Sequence, residues 1–377
     1  MAQNFDFIVV GQGVMGLATT YALSKKGFKV LGLDQYSLFH QKGSSHGESR
    51  IIRMAYFEDP GYIPLLKLAY QGWAELEKQT GVEIFKKSGV AFFTQPDSSV
   101  IYKGVKESAR LFHIPIEEFS SEEARKKFPF FRAPKNFNLL YEANAGYLLV
   151  DKALRSFAEG AKTKGALIHE NEKVLSWTEK QSIEVVTDRA SYTCSKLIFA
   201  GGAWTSKLLQ ELNIPLKICR AIQYWFEVSD PSATSYPCYG FHLPEDFYYG
   251  FPSLDGKTIK FAAHFGIDPI AHPEEKDISS IPKVKLESIR KFVNSCLPNV
   301  SNNCAHYSTC IYTMTPDEHF IIDFHPSSKN ILMACGFSGH GFKFAPAIGE
   351  ILSDLSTTAS HQHAINFLRL NRFKLNQ

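Results

Sequence analysis

The segment FDFIVVGQGVMGLATTYALSKKGFKVLGLD, residues 5 to 34, constrains the fold more than any other stretch of this chain. A short apolar strand runs into Gly11, Gly13 and Gly16 in GxGxxG spacing, a helical stretch follows, and a second apolar strand ends at Asp34, which completes a βαβ unit. Gly11 permits the tight turn, Gly13 lets the backbone approach a pyrophosphate at the helix N-terminus, and Gly16 lets the helix pack closely on the sheet. Val14 and Met15 at the helix start and Gln35 just past the second strand belong to the same cradle. Gly27, after Lys25-Lys26, reads as a C-cap. The Asp34 carboxylate is placed to accept hydrogen bonds from ribose hydroxyls. The motif alone does not separate NAD from FAD.

Two later segments favour FAD. KLIFAGGAWTSKLL (196–209) places an apolar strand before Gly201-Gly202 and Trp204, and NILMACGFSGHGFKFAPAIGEIL (330–352) places one before Gly336, Gly339 and Gly341. A helix starting after such a turn aims its positive end at whatever lies there, and an isoalloxazine ring that gains negative charge on reduction suits that position. A chain of 377 residues exceeds what one compact core usually serves, so two interleaved domains are expected. With 44% hydrophobic and 21% charged residues and a net charge of +3, nothing in the composition asks for nucleic acid. Basic pairs such as Lys25-Lys26 and Lys126-Lys127 read as solvated helix ends. The seven cysteines form no CxxC pair and no zinc-like cluster with the histidines, which predicts no metal and a reducing compartment. The start MAQNFDFIVVGQGVMG lacks a basic leading region, no run approaches about 18 apolar residues, and the end LNQ is not a peroxisomal tripeptide. A cytoplasmic protein without membrane spans is the expectation.

Three further stretches carry candidate chemistry. In YSTCIYTMTPDEHFIIDFHP (307–326), Cys310 alone reads as a small buried hydrophobe. FYYGFPSLDGKTIKFAAHFG (247–266) reads as a hairpin turning at Asp255-Gly256, with Tyr249 opposite Ala262, Phe251 opposite Lys260 and Phe247 opposite His264 on one face. The other face, with Tyr248, Ile259 and Phe261, is also apolar, so Lys260 lacks an easy route to water; a lysine snorkelling at a sheet edge is the alternative. His46, Arg50 and Arg53 share one short loop-and-strand segment in which Glu48 and Glu58 are available to neutralise the arginines as ordinary surface pairs.

The motifs GQGVMG, GSSHGESRIIR (43–53), FYYGFP (247–252), CIYTMTPDEHFIID (310–323) and GFSGHGFK (336–343) together resemble the sarcosine oxidase, N-methyltryptophan oxidase and pipecolate oxidase family of FAD-dependent amine oxidoreductases, over nearly the whole chain. The resemblance implies an α/β fold, α+β overall, of D-amino-acid-oxidase type: a Rossmann-like FAD-binding domain (1–85, 140–215 and 310–377) interleaved with a mixed-sheet substrate domain (86–139 and 216–309). It implies that Cys310 is the covalent attachment point of FAD, that Lys260 beside the flavin activates oxygen, and that His46 and Arg50 flank the ring. It further implies that Arg53 and Lys343 hold the substrate carboxylate, a task suited to the planar fork of arginine. Tyr249, His264, Tyr312 and the Gly339 backbone would line the substrate cavity, and Ser44, Val174, Gly341 and Phe342 would join the glycines at the cofactor.

The activity implied is oxidation of a secondary, N-methyl or cyclic, amino acid at a C–N bond, giving an imine that hydrolyses and hydrogen peroxide from O2. A dehydrogenase passing electrons to a quinone or carrier, and a tRNA-modifying FAD oxidoreductase, are the alternatives. Lys260 argues for oxygen as acceptor, and the absence of a basic extension argues against tRNA. The small-molecule amino acid and O2 are the expected partners of a monomer. Around YPCYGFHLPEDFYY (236–249) the chain departs from the sarcosine-type pattern: Gly240 falls where a bulky apolar residue would cap the pocket, which predicts extra room beyond the amine.

Overall fold

In the computed structural model, which describes residues 3–358 and 363–373, two large sheets lie at the centre of the chain; the LNQ end falls outside the described residues. The first sheet has eight strands in the order Val174–Glu179, Ile183–Thr187, Ser191–Phe199, Gln3–Val10, Val30–Leu33, Leu167–His169, with Ser328–Cys335 parallel to Ser191–Phe199 and Ile321–His325 antiparallel to Ser328–Cys335. The strands Gln3–Val10, Val30–Leu33, Leu167–His169 and Ser191–Phe199 run parallel and are covered on both faces, which is why they read as unbroken apolar runs.

The helix Val14–Lys25 follows the first strand and is buried along nearly its whole length between the helices Val150–Thr163 and Ala345–Thr357. Glycine makes that packing possible. A Cβ at Gly349 would stand 2.6 Å from the Ala18 carbonyl oxygen, and one at Gly16 only 1.7 Å from the Gly11 carbonyl oxygen. The helix ends as its sequence predicts, with Gly27 at φ +84° donating its N–H to Ser24 O.

The second sheet has nine strands, ordered Asp268–Pro269, Lys217–Val228, Thr258–Ala263, Phe247–Gly250, Cys238–His242, Val90–Thr94, Asn138–Glu142, Glu117–Phe119, with Val300–Met314 also paired to Lys217–Val228. The hairpin has the register read from its alternation: Tyr249 faces Ala262, Phe251 N donates to Lys260 O, and His264 N donates to Phe247 O. Its turn is wider than two residues, because the Asp255 carboxylate gathers the N–H groups of Lys257 and Thr258. One face of this sheet, with Tyr248, Ile259 and Phe261, closes a core against the helix Lys283–Cys296; the opposite face carries Gln223, Tyr249 and Ala262. The boundary expected at residue 310 cuts through a strand, since Val300–Met314 pairs along its length with Lys217–Val228. A small third sheet, Ser49–Ile52, Gly146–Leu149 and Phe85–Lys86, carries Arg50.

Candidate active site

A single cavity of about 910 Å³ runs from the glycine turn after the first strand to the inner face of the second sheet. At its first end Gly11, with φ +89°, turns where a Cβ would lie 2.6 Å from the Ala200 carbonyl oxygen, so the first and fourth parallel strands close on one another there. Gly13 is extended and caps the helix with no side chain, which leaves the N–H groups of the first turn, beside Val14 and Met15, directed at the cavity. Val14 N donates to Ser45 Oγ at 3.1 Å. An uncapped helix start beside a glycine turn is suited to a pyrophosphate. Gly16 itself does not line the cavity; it is the packing glycine.

Asp34 and Gln35 stand on the wall next to this turn. The two Asp34 oxygens already accept from Gln12 N (2.7 Å) and Tyr36 N (2.9 Å), so the carboxylate is fixed in place and offers its remaining lone pairs to a ligand. Val174 lines the cavity at a break in strand register between Val174 and Ser176. Gly201, Gly202 (φ +54°) and Trp204 form the opposite wall, where the Trp204 ring meets Tyr36 edge-on. These residues fit the adenosine and phosphate portion of FAD.

Further along, Ser44, Arg50, Cys310, Gly341 and Phe342 surround the cavity. Arg50 donates to the carbonyls of Ser49, Ser44 and His46 at 2.7–2.9 Å, and its Nη2 lies 3.9 Å from Cys310 Sγ. The thiol is buried, 3.7 Å from Ser44 O. His46 and Lys260 lie just behind this wall and do not line the cavity. His46 Nε2 is buried without a partner; burial, reinforced by Arg50, pushes its pKa down to about 3, so the ring is neutral. Lys260 is 4% exposed, donates to Ser49 O at 3.0 Å, and lies over the rings of Phe251 and Trp225. The edge-snorkelling alternative does not hold. Burial, with Arg50 adding to it and Glu48 opposing it, lowers the Lys260 pKa well below that of an ordinary lysine.

The far end is lined by Tyr249, His264, Tyr312, Gly339, Arg53 and Lys343. Gly339, at φ +77°, packs against the Tyr312 ring, where a Cβ would stand 2.4 Å from the ring edge. Tyr312 OH is 3.2 Å from Tyr249 OH and 3.4 Å from His264 Nδ1. Burial, helped by Lys343 and Arg53 and opposed by Glu58, brings the His264 pKa to about 4, so the imidazole is neutral. Arg53 and Lys343 share one ring: the Tyr56 centroid is 4.4 Å from the guanidinium and 5.2 Å from the ammonium. Tyr56 OH is in turn held by His340 Nδ1 at 2.6 Å. Burial lowers the Lys343 pKa to about 7, with Arg53 and Arg50 adding to it and Glu58 opposing it.

Two features of this end depart from the sequence reading. Glu58 is no surface partner; it binds Arg53 at 2.6 Å in the cavity wall. Burial disfavours its charge, but Arg53, His340 and Lys343 outweigh that and bring its pKa to about 2. The room expected beyond Gly240 is also absent: Gly240 does not line the cavity, and a Cβ there would meet Phe247 and Phe92 at 2.6 and 2.7 Å. Phe57, Phe92 and Phe247, whose centroids are 5.8–6.0 Å apart, make the wall instead. Sequence reasoning missed Tyr56, His340 and Gln223; only the last left a signal, as a lone amide in the apolar run of residues 221–226.

Residues 6–355 match the family model described as FAD dependent oxidoreductase. The chain is 38% identical over 382 residues to the monomeric sarcosine oxidase of Bacillus sp. (strain B-0618), covering 99% of this chain and 97% of that protein. It is 33% identical over 375 residues to the N-methyl-L-tryptophan oxidase of Salmonella enteritidis PT4, covering 98% and 99%. The solved structure of NikD, an unusual amino acid oxidase essential for nikkomycin biosynthesis, superposes with a TM-score of 0.85 at 22% identity over 97% of each chain, a likeness of fold.

Proposed function

The chain belongs to the FAD-dependent oxidoreductase family, and we propose that within it this protein is an oxidase of secondary amino acids with O2 as electron acceptor. The observation that carries the reading is the convergence of Arg53, Lys343, neutral His264 and the Tyr249–Tyr312 pair at one end of a cavity whose other end is a dinucleotide cradle. Bound FAD supplies the hydride acceptor, and Cys310 in the middle of the cavity wall is its covalent anchor.

Arg53 and Lys343 hold the substrate carboxylate. Arg53 spends two N–H groups on Ala55 O and Glu58, and Lys343 one on His340 O, so each keeps donors for a ligand. Fixing the carboxylate presents the carbon beside the amine to the cofactor, and the positive field favours the unprotonated amine whose lone pair assists hydride departure. The imine product hydrolyses. Lys260 supplies a cation in a dry place where oxygen gains charge on its way to hydrogen peroxide. No side chain at this end is needed as a proton-abstracting base.

The protein acts as a monomer, as the name of the Bacillus relative has it, and in the cytoplasm. No helix among the described residues is long and apolar enough to cross a membrane. The test is peroxide release from the purified yellow protein with sarcosine, N-methylated amino acids, proline and pipecolate. Peroxide from at least one of them is expected. Flavin reduction by substrate without peroxide would transfer the protein to the carrier-linked dehydrogenases.

A further inference from the structure

Gln223 occupies the middle of the sheet face that meets the cavity. It lies on Lys217–Val228, opposite Ala262 on one side and Ser308 on the other. Two residues toward one end of the strand Ala221 pairs with Cys310, and two residues toward the other Trp225 pairs with Lys260. Alternation puts all of these on one face, so Gln223 stands between the proposed attachment point and the proposed oxygen-activating lysine. Its neighbours Ala221 and Ala262 are small, which clears the floor around it.

The side chain is 4% exposed, lines the cavity, and its Oε1 has no hydrogen-bond partner. The loop above has been shaped around it: Gly47 has φ +75°, and a Cβ there would lie 2.6 Å from Gln223 Oε1. An amide oxygen buried without a partner is destabilising, and this one is packed toward Gly47; among the described residues no protein acceptor takes the N–H groups of the same carboxamide, which borders the cavity. An amide presents a donor or an acceptor by rotation of its end, so it can serve a ring whose polar edge changes with redox state.

We propose that Gln223 is a flavin-contacting residue whose carboxamide donates a hydrogen bond to the ring of bound FAD and so raises its oxidising power. The inference rests on the FAD-dependent reading above. A donor held in a dry site stabilises the charge the ring gains on reduction more than it stabilises the oxidised ring.

The test is the flavin midpoint potential of the holoenzyme, measured by anaerobic equilibration with a reference dye, in the unmutated protein and in Gln223→Leu. Loss of one such bond should shift the oxidised-to-reduced equilibrium about tenfold toward the oxidised form, about 30 mV more negative for a two-electron couple. The visible flavin bands should move as well. Gln223→Met, unbranched and of similar length, gives the same shift if leucine crowds the strand. An unchanged or more positive potential in variants that keep their flavin overturns the contact. Colourless unmutated protein would remove the FAD reading and this inference with it, whereas yellow variants with an unchanged potential remove the inference alone.

Discussion

Cys310 Sγ touches the Arg50 guanidinium and the Ser44 carbonyl at the wall of the cavity rather than the side chains of a closed core. If it is the anchor, protein precipitated with acid stays yellow, and Cys310→Ala releases its colour or fails to hold flavin. Free flavin recovered in full from unmutated protein would refute the tether. Lys260 asks a different question of the same face. Its pKa lies well below the ordinary value because it is buried and near Arg50, so its protonated fraction falls at a lower pH than that of a surface lysine. If Lys260 activates oxygen as proposed, the cation is the form that does so, and reoxidation of reduced enzyme should slow as pH rises. In Lys260→Met, anaerobic reduction by substrate should survive, while reoxidation should be slower by orders of magnitude and lose this pH dependence. Equal loss in both half-reactions would mean that Lys260 only organises the site.

At the scale of elements, what was legible in the sequence is what local geometry enforces. The glycines after the first strand each answer a short-range demand, a positive φ at Gly11 and a close approach at Gly16, and the hairpin register follows from a period of two. Contacts between elements left no such trace. Gly240 looked like free space because the rings that fill it belong to Phe92 on Val90–Thr94 and Phe247 on Phe247–Gly250. Glu58 looked like a surface partner because nothing local says that its loop folds inward beside Lys343 and His340. The packing glycines allow a test that separates fold from site. Gly349→Ala drives a methyl into the Ala18 carbonyl, at two residues that do not line the cavity, so it should cost about 1–3 kcal/mol of stability and lower Tm with little change in kcat. Gly16→Ala meets the Gly11 carbonyl, which belongs to the cradle itself, and should also abolish flavin retention. Equal behaviour of the two variants in flavin content would mean that the turn does not hold the cofactor.

For the molecule as a whole, the first sheet's cradle and the second sheet's face make one cavity, and the proposed carboxylate clamp would be assembled from segments far apart in the chain, Arg53 after the third-sheet strand and Lys343 after the last strand of the first sheet. The clamp must work against its own repulsion. Burial and the neighbouring Arg53 and Arg50 hold the Lys343 pKa near 7, so in ligand-free enzyme the lysine is cationic below that value and loses its proton above it. An anionic ligand binds the cationic form; the Kd of a simple unreactive carboxylate such as acetate, read from the flavin spectrum, should be constant below about pH 6 and weaken above pH 7. Lys343→Met should bind more weakly and without that pH dependence. Arg53→Ala removes the partner of the ionised Glu58 as well as half of the clamp, so a loss of roughly 3 kcal/mol, about a hundredfold in kcat/KM, is expected for amino-acid substrates. Amines lacking the carboxylate should be poor substrates of the unmutated enzyme and should lose much less in Arg53→Ala, because they never used the clamp. The comparison is made pair by pair, each amino acid against its decarboxylated amine. If the unmutated enzyme oxidises both members of a pair equally well, Arg53 serves Glu58 alone, and the substrate class must be sought among amines without a carboxylate.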